Sequence, residues 1–265
     1  MTMLMYAPSV KSNSKAVINI ISGNWKSTYS DAVQRKSEAD IYTKSGYTVF
    51  NVIHGSQPRY NVTEAVQDLK RAVRFIRFNA ATFFIKPNSI GIVGGSSGGH
   101  LALMVATTSD DTSAMVTDDI DKVSDRVQAV GAFYAPTDLL NFGAPGFSPV
   151  NNAEMLTNFG VSAAFDFKKW NDEKQTYQYY NADERTQISK DLSPIYSISK
   201  DDPPTILIHG DQDKVVPIQQ SQTFFEAFKK VNPLTEFVIK TGAGHGWNSA
   251  TEERMVVKWF DKYLE

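Results

Sequence analysis

An α/β fold built on a doubly wound, mostly parallel sheet with a small inserted cap is what this sequence predicts. Three observations carry the prediction. Short β-branched runs alternate with longer stretches of helical periodicity, and that alternation implies right-handed crossovers between parallel strands. One run, residues 90–93, enters a glycine-rich turn, Gly94-Gly95-Ser96-Ser97-Gly98-Gly99, that opens directly into the helix-forming residues 101–107. The alternation then fails between about residues 139 and 192 and resumes afterwards.

The first strand of the alternation is Ala16-Val17-Ile18-Asn19-Ile20-Ile21, which feeds the polar turn Ser22-Gly23-Asn24-Trp25. A helix is expected over about residues 30–44, ending at Gly46 as a C-cap. Residues 47–53 form the next strand. Val66, Leu69, Val73, Phe75 and Ile76 recur at helical spacing between residues 62 and 78. Asn61-Val62-Thr63 matches a glycosylation acceptor, but Asn61 with Glu64 three positions on reads as a helix N-cap and capping box. Beyond the elbow helix, residues 107–125 are polar and acidic and read as a surface loop with a short helix, and residues 127–134 form the fourth strong strand. Between residues 139 and 192, Phe142, Phe147, Phe159, Phe165, Phe167, Trp170, Tyr177, Tyr179 and Tyr180 are scattered among polar residues. So many aromatics argue against disorder and for a cap over the carboxyl ends of the strands, where ligands bind in such sheets. Strands at 205–208 and 236–239 and helices at 218–230 and 250–264 complete the chain, read as one domain over residues 1–265.

Composition narrows the function. A chain of 265 residues that is 42% hydrophobic can bury one large core. A net charge of −2 and a pI near 6.1 give no basic field for nucleic acid or an anionic membrane, so neither is an expected partner. The absence of cysteine excludes disulfides, thiolate catalysis and Cys-based zinc sites. No Gly-Lys-Ser/Thr follows the glycine-rich turn and no glycine triplet has dinucleotide spacing, so no cofactor and no metal is expected. Residues 1–15 lack the basic start and apolar core of a signal peptide, and no apolar run approaches the ~20 residues of a membrane span. Zero cysteine fits a cytosolic enzyme and a secreted one alike, so the compartment stays open, with the cytoplasm slightly favoured.

Gly-x-Ser-x-Gly between a strand and a helix is the pattern of a nucleophile elbow, where glycines two residues either side of the serine avoid neighbouring backbone. Two frames fit, one with Ser96 and one with Ser97 as nucleophile, and the local pattern does not separate them. A serine hydroxyl needs a base in hydrogen-bond reach and a carboxylate to orient that base. Of the four histidines, His100 lies on the elbow helix, His54 follows the second strand and His209 ends the fifth. His245, in Gly242-Ala243-Gly244-His245-Gly246-Trp247 after the last strand, is placed to lean over the serine. The acid should precede it along the chain at a strand end. Asp211 and Asp213 both qualify, and Asp213 lies further into the turn, where a carboxylate reaches across.

At these motifs the sequence resembles the α/β-hydrolase superfamily, most closely its small esterases of the acetyl-esterase and feruloyl-esterase-like group. Gly94-Gly95-Ser96-Ser97-Gly98-Gly99-His100-Leu101-Ala102 looks like that group's elbow, which implies Ser96 as nucleophile and His100 as structural. The stretch from Pro203 to Pro217, with Gly210-Asp211-Gln212-Asp213 at its centre, looks like its acid loop, and Gly244-His245-Gly246 looks like its histidine loop. The resemblance runs from about Ala16 to the end and is weakest in the cap. It implies a serine carboxylesterase acting on a small-molecule ester.

One departure stands out. Such esterases carry a His-Gly-Gly-Gly-Trp loop whose backbone N–H groups bind the oxyanion, whereas the matching stretch here is Ile21-Ser22-Gly23-Asn24-Trp25. His54-Gly55-Ser56 looks nearer to the pattern but follows the wrong strand. The expected oxyanion donors are therefore the N–H groups of Gly23, Asn24 and Ser97, since backbone donors need no particular side chain and Asn tolerates φ > 0. Trp25 is the expected substrate-binding side chain. The competing readings are a prolyl-peptidase-like peptidase and a non-catalytic binding module on the same scaffold.

Overall fold

Continuous apolar runs become parallel strands when helices cover both faces of a sheet, and the order of those strands decides which turns meet. A computed structural model describes residues 1–109 and 118–265. Its strands are β1 (Thr2–Tyr6), β2 (Ala16–Ile21), β3 (Thr48–Ile53), β4 (Ile90–Gly95), β5 (Ala129–Phe133), β6 (Lys168–Asn171), β7 (Thr176–Tyr179), β8 (Thr205–Gly210) and β9 (Thr235–Lys240). Its α-helices are α1 (Tyr29–Gln34), α2 (Lys36–Thr43), α3 (Val62–Phe78), α4 (Ser97–Thr107), α5 (Ala153–Asn158), α6 (Ala182–Asp191), α7 (Gln219–Val231) and α8 (Ala250–Tyr263). A seven-stranded sheet runs β1-β3-β2-β4-β5-β8-β9, while β6 and β7 form a separate hairpin. β2 pairs in parallel with β3 on one side and with β4 on the other, so the turn after β2 emerges beside the turn after β4.

Two layers of core follow from the period-2 alternation of the strands. Ile18, Ile20, Phe50 and Val52 face Leu69, Val73 and Ile76 of α3, Leu101 and Val105 of α4, and Phe224 and Phe228 of α7. Val17, Val49, Val93, Phe133 and Ile208 face Ala39 and Tyr42 of α2 and Val256, Trp259 and Phe260 of α8. Every residue of α4 is buried, packed on β4, β5 and β2 of the sheet and covered by α3 and residues 194–196. Asn61 caps α3 in a full capping box with Glu64, which agrees with the cap reading of that position.

Three expectations change. The helix expected over residues 30–44 is two helices broken at Arg35 (φ −83°, ψ 18°). Asn51 Nδ2 donates to the Ala32 carbonyl at 3.0 Å, the group that a continuous helix would offer to the Lys36 N–H. The first strand, β1, was not visible in the sequence: it is a half-exposed antiparallel edge on β3, and its short run Met3-Leu4-Met5-Tyr6 lacks the β-branched residues that mark the other strands. Of the loop expected at residues 107–125, Thr107 ends α4 and residues 118–125 are turns without a helix, while residues 110–117 lie outside the described residues. Among the described residues no helix is long and apolar enough to cross a membrane.

Candidate active site

Ser96 sits between β4 and α4 at φ 54° and ψ −124°, a region that costs a non-glycine residue free energy and is held by its surroundings. Its N–H donates to Phe133 O at 2.9 Å and its carbonyl accepts the His100 N–H at 3.0 Å. Of the flanking glycines, Gly94 is obligatory and Gly98 is tightly packed. A Cβ on Gly94 would lie 2.5 Å from the Gly98 backbone, and one on Gly98 would lie 3.1 Å from Ile20 O. Of the two frames, the backbone therefore puts Ser96 at the strained apex. Ser97 is the first residue of α4, buried, with its Oγ 3.0 Å from Ser22 Oγ.

The structure brings Ser96, His245 and Asp213 into one line. Ser96 Oγ is 2.9 Å from His245 Nε2, and His245 Nδ1 is 2.7 Å from Asp213 Oδ2. A carboxylate at Nδ1 places the proton there and leaves Nε2 to accept from the serine hydroxyl. The Asp213 side chain is fully buried, and its Oδ1 accepts the N–H groups of Val215 and Val216 at 2.8 and 2.9 Å. Its Oδ2 also lies 3.2 Å from Nε2 of His209, a partner the sequence reading passed over as a mere strand end. His209 is fully buried, with Nδ1 2.7 Å from Ser221 Oγ and Nε2 2.9 Å from Val216 O. Burial alone would raise the Asp213 pKa, but the hydrogen bonds from His209, His245, Val216 and Val215 outweigh it and hold the carboxyl well below the usual range.

The two loops that carry acid and base touch at bare backbone. A Cβ on Gly210 would lie 2.3 Å from Ala243 O, so only glycine lets the acid loop approach the histidine loop. Gln212 N–H donates to Ala243 O at 2.9 Å, and Asp211 Oδ1 accepts the Gly242 N–H at 2.7 Å, which gives Asp211 a place in the turn rather than at His245. On the far side Trp247 Nε1 donates to Glu252 Oε2 at 3.1 Å, and Lys240 Nζ holds the other oxygen of Glu252 at 2.6 Å. The Tyr134 ring packs edge-on against both His245 and Trp247, with centroids 4.8 and 5.0 Å away.

The turn after β2 corrects one expected donor. Asn24 and Trp25 both have positive φ, 54° and 53°, as in the tight hairpin turns that close on two reciprocal hydrogen bonds. Gly23 N–H donates to Lys26 O and Lys26 N–H to Gly23 O, each at 2.9 Å, so the Gly23 N–H is used inside the turn and is not free for an oxyanion. The backbone N–H groups of Asn24 and Ser97 meet no acceptor among the described residues, and both residues line the cavity beside Ser96. The carbonyl of Asn24 accepts from Gln57 Nε2 at 3.0 Å and its side chain donates to Phe159 O at 3.2 Å, which pins the turn from both sides. Trp25 Nε1 donates to His100 Nδ1 at 3.1 Å, and its ring meets Phe165 edge-on at 4.9 Å. His100 Nε2 in turn faces Leu192 O at 2.8 Å, and burial lowers its pKa to about 4, so it stays neutral and structural. The look-alike His54-Gly55 is engaged elsewhere: His54 Nε2 meets Ser22 Oγ at 3.0 Å, and Gly55 N–H donates to Asp68 Oδ2 at 2.6 Å.

Two depressions meet at Ser96. One is apolar, has a volume of about 60 Å³, and is walled by Trp25, Leu139, Phe142, Leu156, Phe159 and Phe165. The other is an open polar cleft of about 550 Å³ whose wall includes Lys26, Asp31, Arg35, Tyr134 and His245. Among the described residues no group of three or more His, Cys, Asp or Glu side chains could hold a metal ion.

Comparison with known proteins agrees with this architecture. The chain is 25% identical over 221 residues to esterase LipC of Mycobacterium tuberculosis, covering 83% of this chain and 50% of LipC. It is 26% identical over 222 residues to esterase LipQ of the same organism, covering 83% of this chain and 48% of LipQ. The chain thus spans about half the length of these curated relatives. Among solved structures, a truncated carbohydrate esterase from gut microbiota superposes with a TM-score of 0.78 at 26% identity, covering 98% of this chain and 90% of that one. A bifunctional GH43-CE protein of Bacteroides eggerthii superposes with a TM-score of 0.79 at 26% identity, covering 98% of this chain but 35% of that one. The mostly parallel sheet with its strand-elbow-helix centre is the α/β-hydrolase fold. The BD-FAE family profile matches residues 3–228, most of the length of the chain, and the chain belongs to the BD-FAE family.

Proposed function

We propose that this chain is a serine carboxylesterase that cleaves short-chain esters through an acyl-enzyme. The observation that carries the reading is the unbroken line from Ser96 Oγ through His245 to the buried Asp213 carboxylate, set on a strained elbow. Ser96 Oγ attacks the ester carbonyl while His245 Nε2 takes its proton, and Asp213 stabilises the imidazolium that forms. The N–H groups of Asn24 and Ser97 are the donors for the carbonyl oxygen as it gains charge, and the positive end of α4 points the same way. Collapse of the tetrahedral intermediate breaks the bond to the alcohol oxygen, which takes the proton from His245. Water then repeats the sequence on the acyl-enzyme and releases the acid. The esterase names of LipC, LipQ and the gut carbohydrate esterase support the same reaction class.

The apolar cavity takes the acyl group. A volume of about 60 Å³ is several times the roughly 10–15 Å³ that one enclosed water needs by the same measure, which suits a short acyl group such as acetyl or propionyl. A series of p-nitrophenyl esters tests both parts of the reading. Acetate should be cleaved fastest and long-chain esters slowest. Ser96→Ala and His245→Ala should lower kcat on the order of 10⁶-fold, and Asp213→Ala on the order of 10⁴-fold. Ser97→Ala should stay within roughly tenfold, because its backbone N–H remains. A fluorophosphonate probe should label Ser96. Labelling of Ser97, or faster turnover of long chains, would overturn the assignment.

A further inference from the structure

The proton that His245 carries goes to the departing alcohol, so the alcohol half of the ester leaves over the wall that His245 lines. That wall belongs to the polar cleft, not to the apolar cavity. Arg35 lines the same cleft, half-buried at the break between α1 and α2, with its backbone N–H fixed on Asp31 O at 3.0 Å. The other described arginines have partners. Arg71 pairs with Asp118 and Asp121, Arg74 with Asp125, Arg77 and Arg185 with backbone carbonyls, Arg59 with the Tyr60 ring, and Arg254 with Thr251; Arg126 is engaged as well. The Arg35 side chain has no hydrogen bond, ion pair or ring contact with any described residue. Its charge is felt at Glu38, which lies on α2 outside the lining of the cleft. Its donors open onto the cleft, where an anionic group of a ligand could meet them.

The charges of the cleft point to what that is. Lys26 is exposed on the same wall and its ammonium has no hydrogen-bond partner, whereas Asp31 contributes the opposing carboxylate. Among the charged side chains that line the cleft itself, two cations face one anion, which makes its wall suited to a monoanion. We propose that Arg35, assisted by Lys26, is the recognition site for a carboxylate carried on the alcohol half of the ester, so that acyl esters of hydroxy acids are the preferred substrates. The planar guanidinium offers a carboxylate two parallel N–H donors, and the negative charge draws the substrate in by its alcohol end, leaving the acyl end for the apolar cavity.

This proposal rests on the esterase reading, and the experiment separates the two. 4-Acetoxybenzoate and 4-acetoxybenzamide have the same acyl group and nearly the same shape but differ by one negative charge on the alcohol half. The quantity to measure is the ratio of their kcat/KM values, acid over amide, which cancels losses common to both esters. In Arg35→Ala the ratio should fall about tenfold from that of the unaltered protein, the size expected for a charge-assisted hydrogen bond. Arg35→Lys should fall less, Asp31→Asn should raise the ratio, and added salt should lower it in the unaltered protein. An unaltered protein that cleaves the amide ester, with a ratio that Arg35→Ala does not change, would overturn the carboxylate site and leave the esterase reading standing. Failure to cleave either ester would overturn both. If Arg35→Ala proves inactive toward both esters, Asp31→Asn decides: an unchanged ratio there would overturn the site.

Discussion

At the residue scale, chemistry limits what can stand at a position, and there the sequence was most legible. A nucleophilic serine without cysteine in the chain needs a histidine and an acid in sequence order, and few residues qualified. His209 escaped notice because nothing in its local pattern announces that its Nε2 will lie 3.2 Å from the Asp213 carboxylate. The two lie only four positions apart, and it is the tight turn after β8, closed by the Val215 and Val216 N–H groups on Asp213 Oδ1, that folds the carboxylate back on the ring. In the proposed mechanism His209 would act on His245 through Asp213, as a positioning residue. His209→Ala should lower kcat of the ester hydrolysis by roughly 10- to 100-fold, the worth of one hydrogen bond to a charged group, with KM little changed. His209→Gln, whose amide still donates, should recover part of that loss. A fall in KM and kcat together, or no recovery with glutamine, would mean that His209 only fills space.

At the scale of elements, the alternation of runs gave the parallel strands and their helices, because burial on both faces writes itself into composition. What it did not give depends on single hydrogen bonds. Asn51 breaks the α1–α2 helix by taking one carbonyl, and the break is what delivers Arg35 to the cleft. The Gly23-to-Lys26 turn was placed beside the elbow by strand order, but which N–H points outward depends on the positive φ of Asn24 and Trp25. In a phosphonate adduct at Ser96 the phosphonyl oxygen should lie within about 3 Å of the Asn24 and Ser97 N–H groups, with Gly23 still bonded to Lys26. An adduct whose oxygen faced the Gly23 N–H, or neither Asn24 nor Ser97, would remove the turn from the mechanism. The histidine loop has a similar dependence. Glu252→Gln weakens the grip of Lys240 and Trp247 on that loop and should lower kcat several-fold without altering the apolar cavity.

At the scale of the whole molecule, the layer that joins α2 to α8 beneath the histidine loop sets how stability responds to pH. Glu253, at the start of α8, is buried and accepts a hydrogen bond from the Tyr42 hydroxyl. Burial pushes its pKa up to about 8; the Tyr42 hydrogen bond opposes the shift and the nearby Glu38 charge adds to it. In the unfolded chain the same carboxyl titrates near 4.5. A group whose pKa is higher in the folded state contributes its full stability below the unfolded value and loses it as pH rises through the folded value. Glu253 therefore works against the folded state progressively from about pH 4.5 to about pH 8. Asp213 has the opposite sign: its pKa is lower when folded, so its contribution is present above the unfolded value and disappears in acid. The buried His100, with its pKa lowered to about 4, adds to the acid limb as pH falls below the ordinary imidazole range, so the stability maximum lies between that limb and the rise in Glu253 charge. The melting temperature should fall between pH 5.5 and pH 9 in the unaltered protein, two settings that roughly bracket the rise in Glu253 charge. Glu253→Gln keeps the shape of the side chain and cannot ionise, so it should flatten that slope while leaving the acid limb in place. Equal slopes for the two proteins in scanning calorimetry would show that Glu253 is not the group that titrates, and that the α2–α8 layer tolerates its charge.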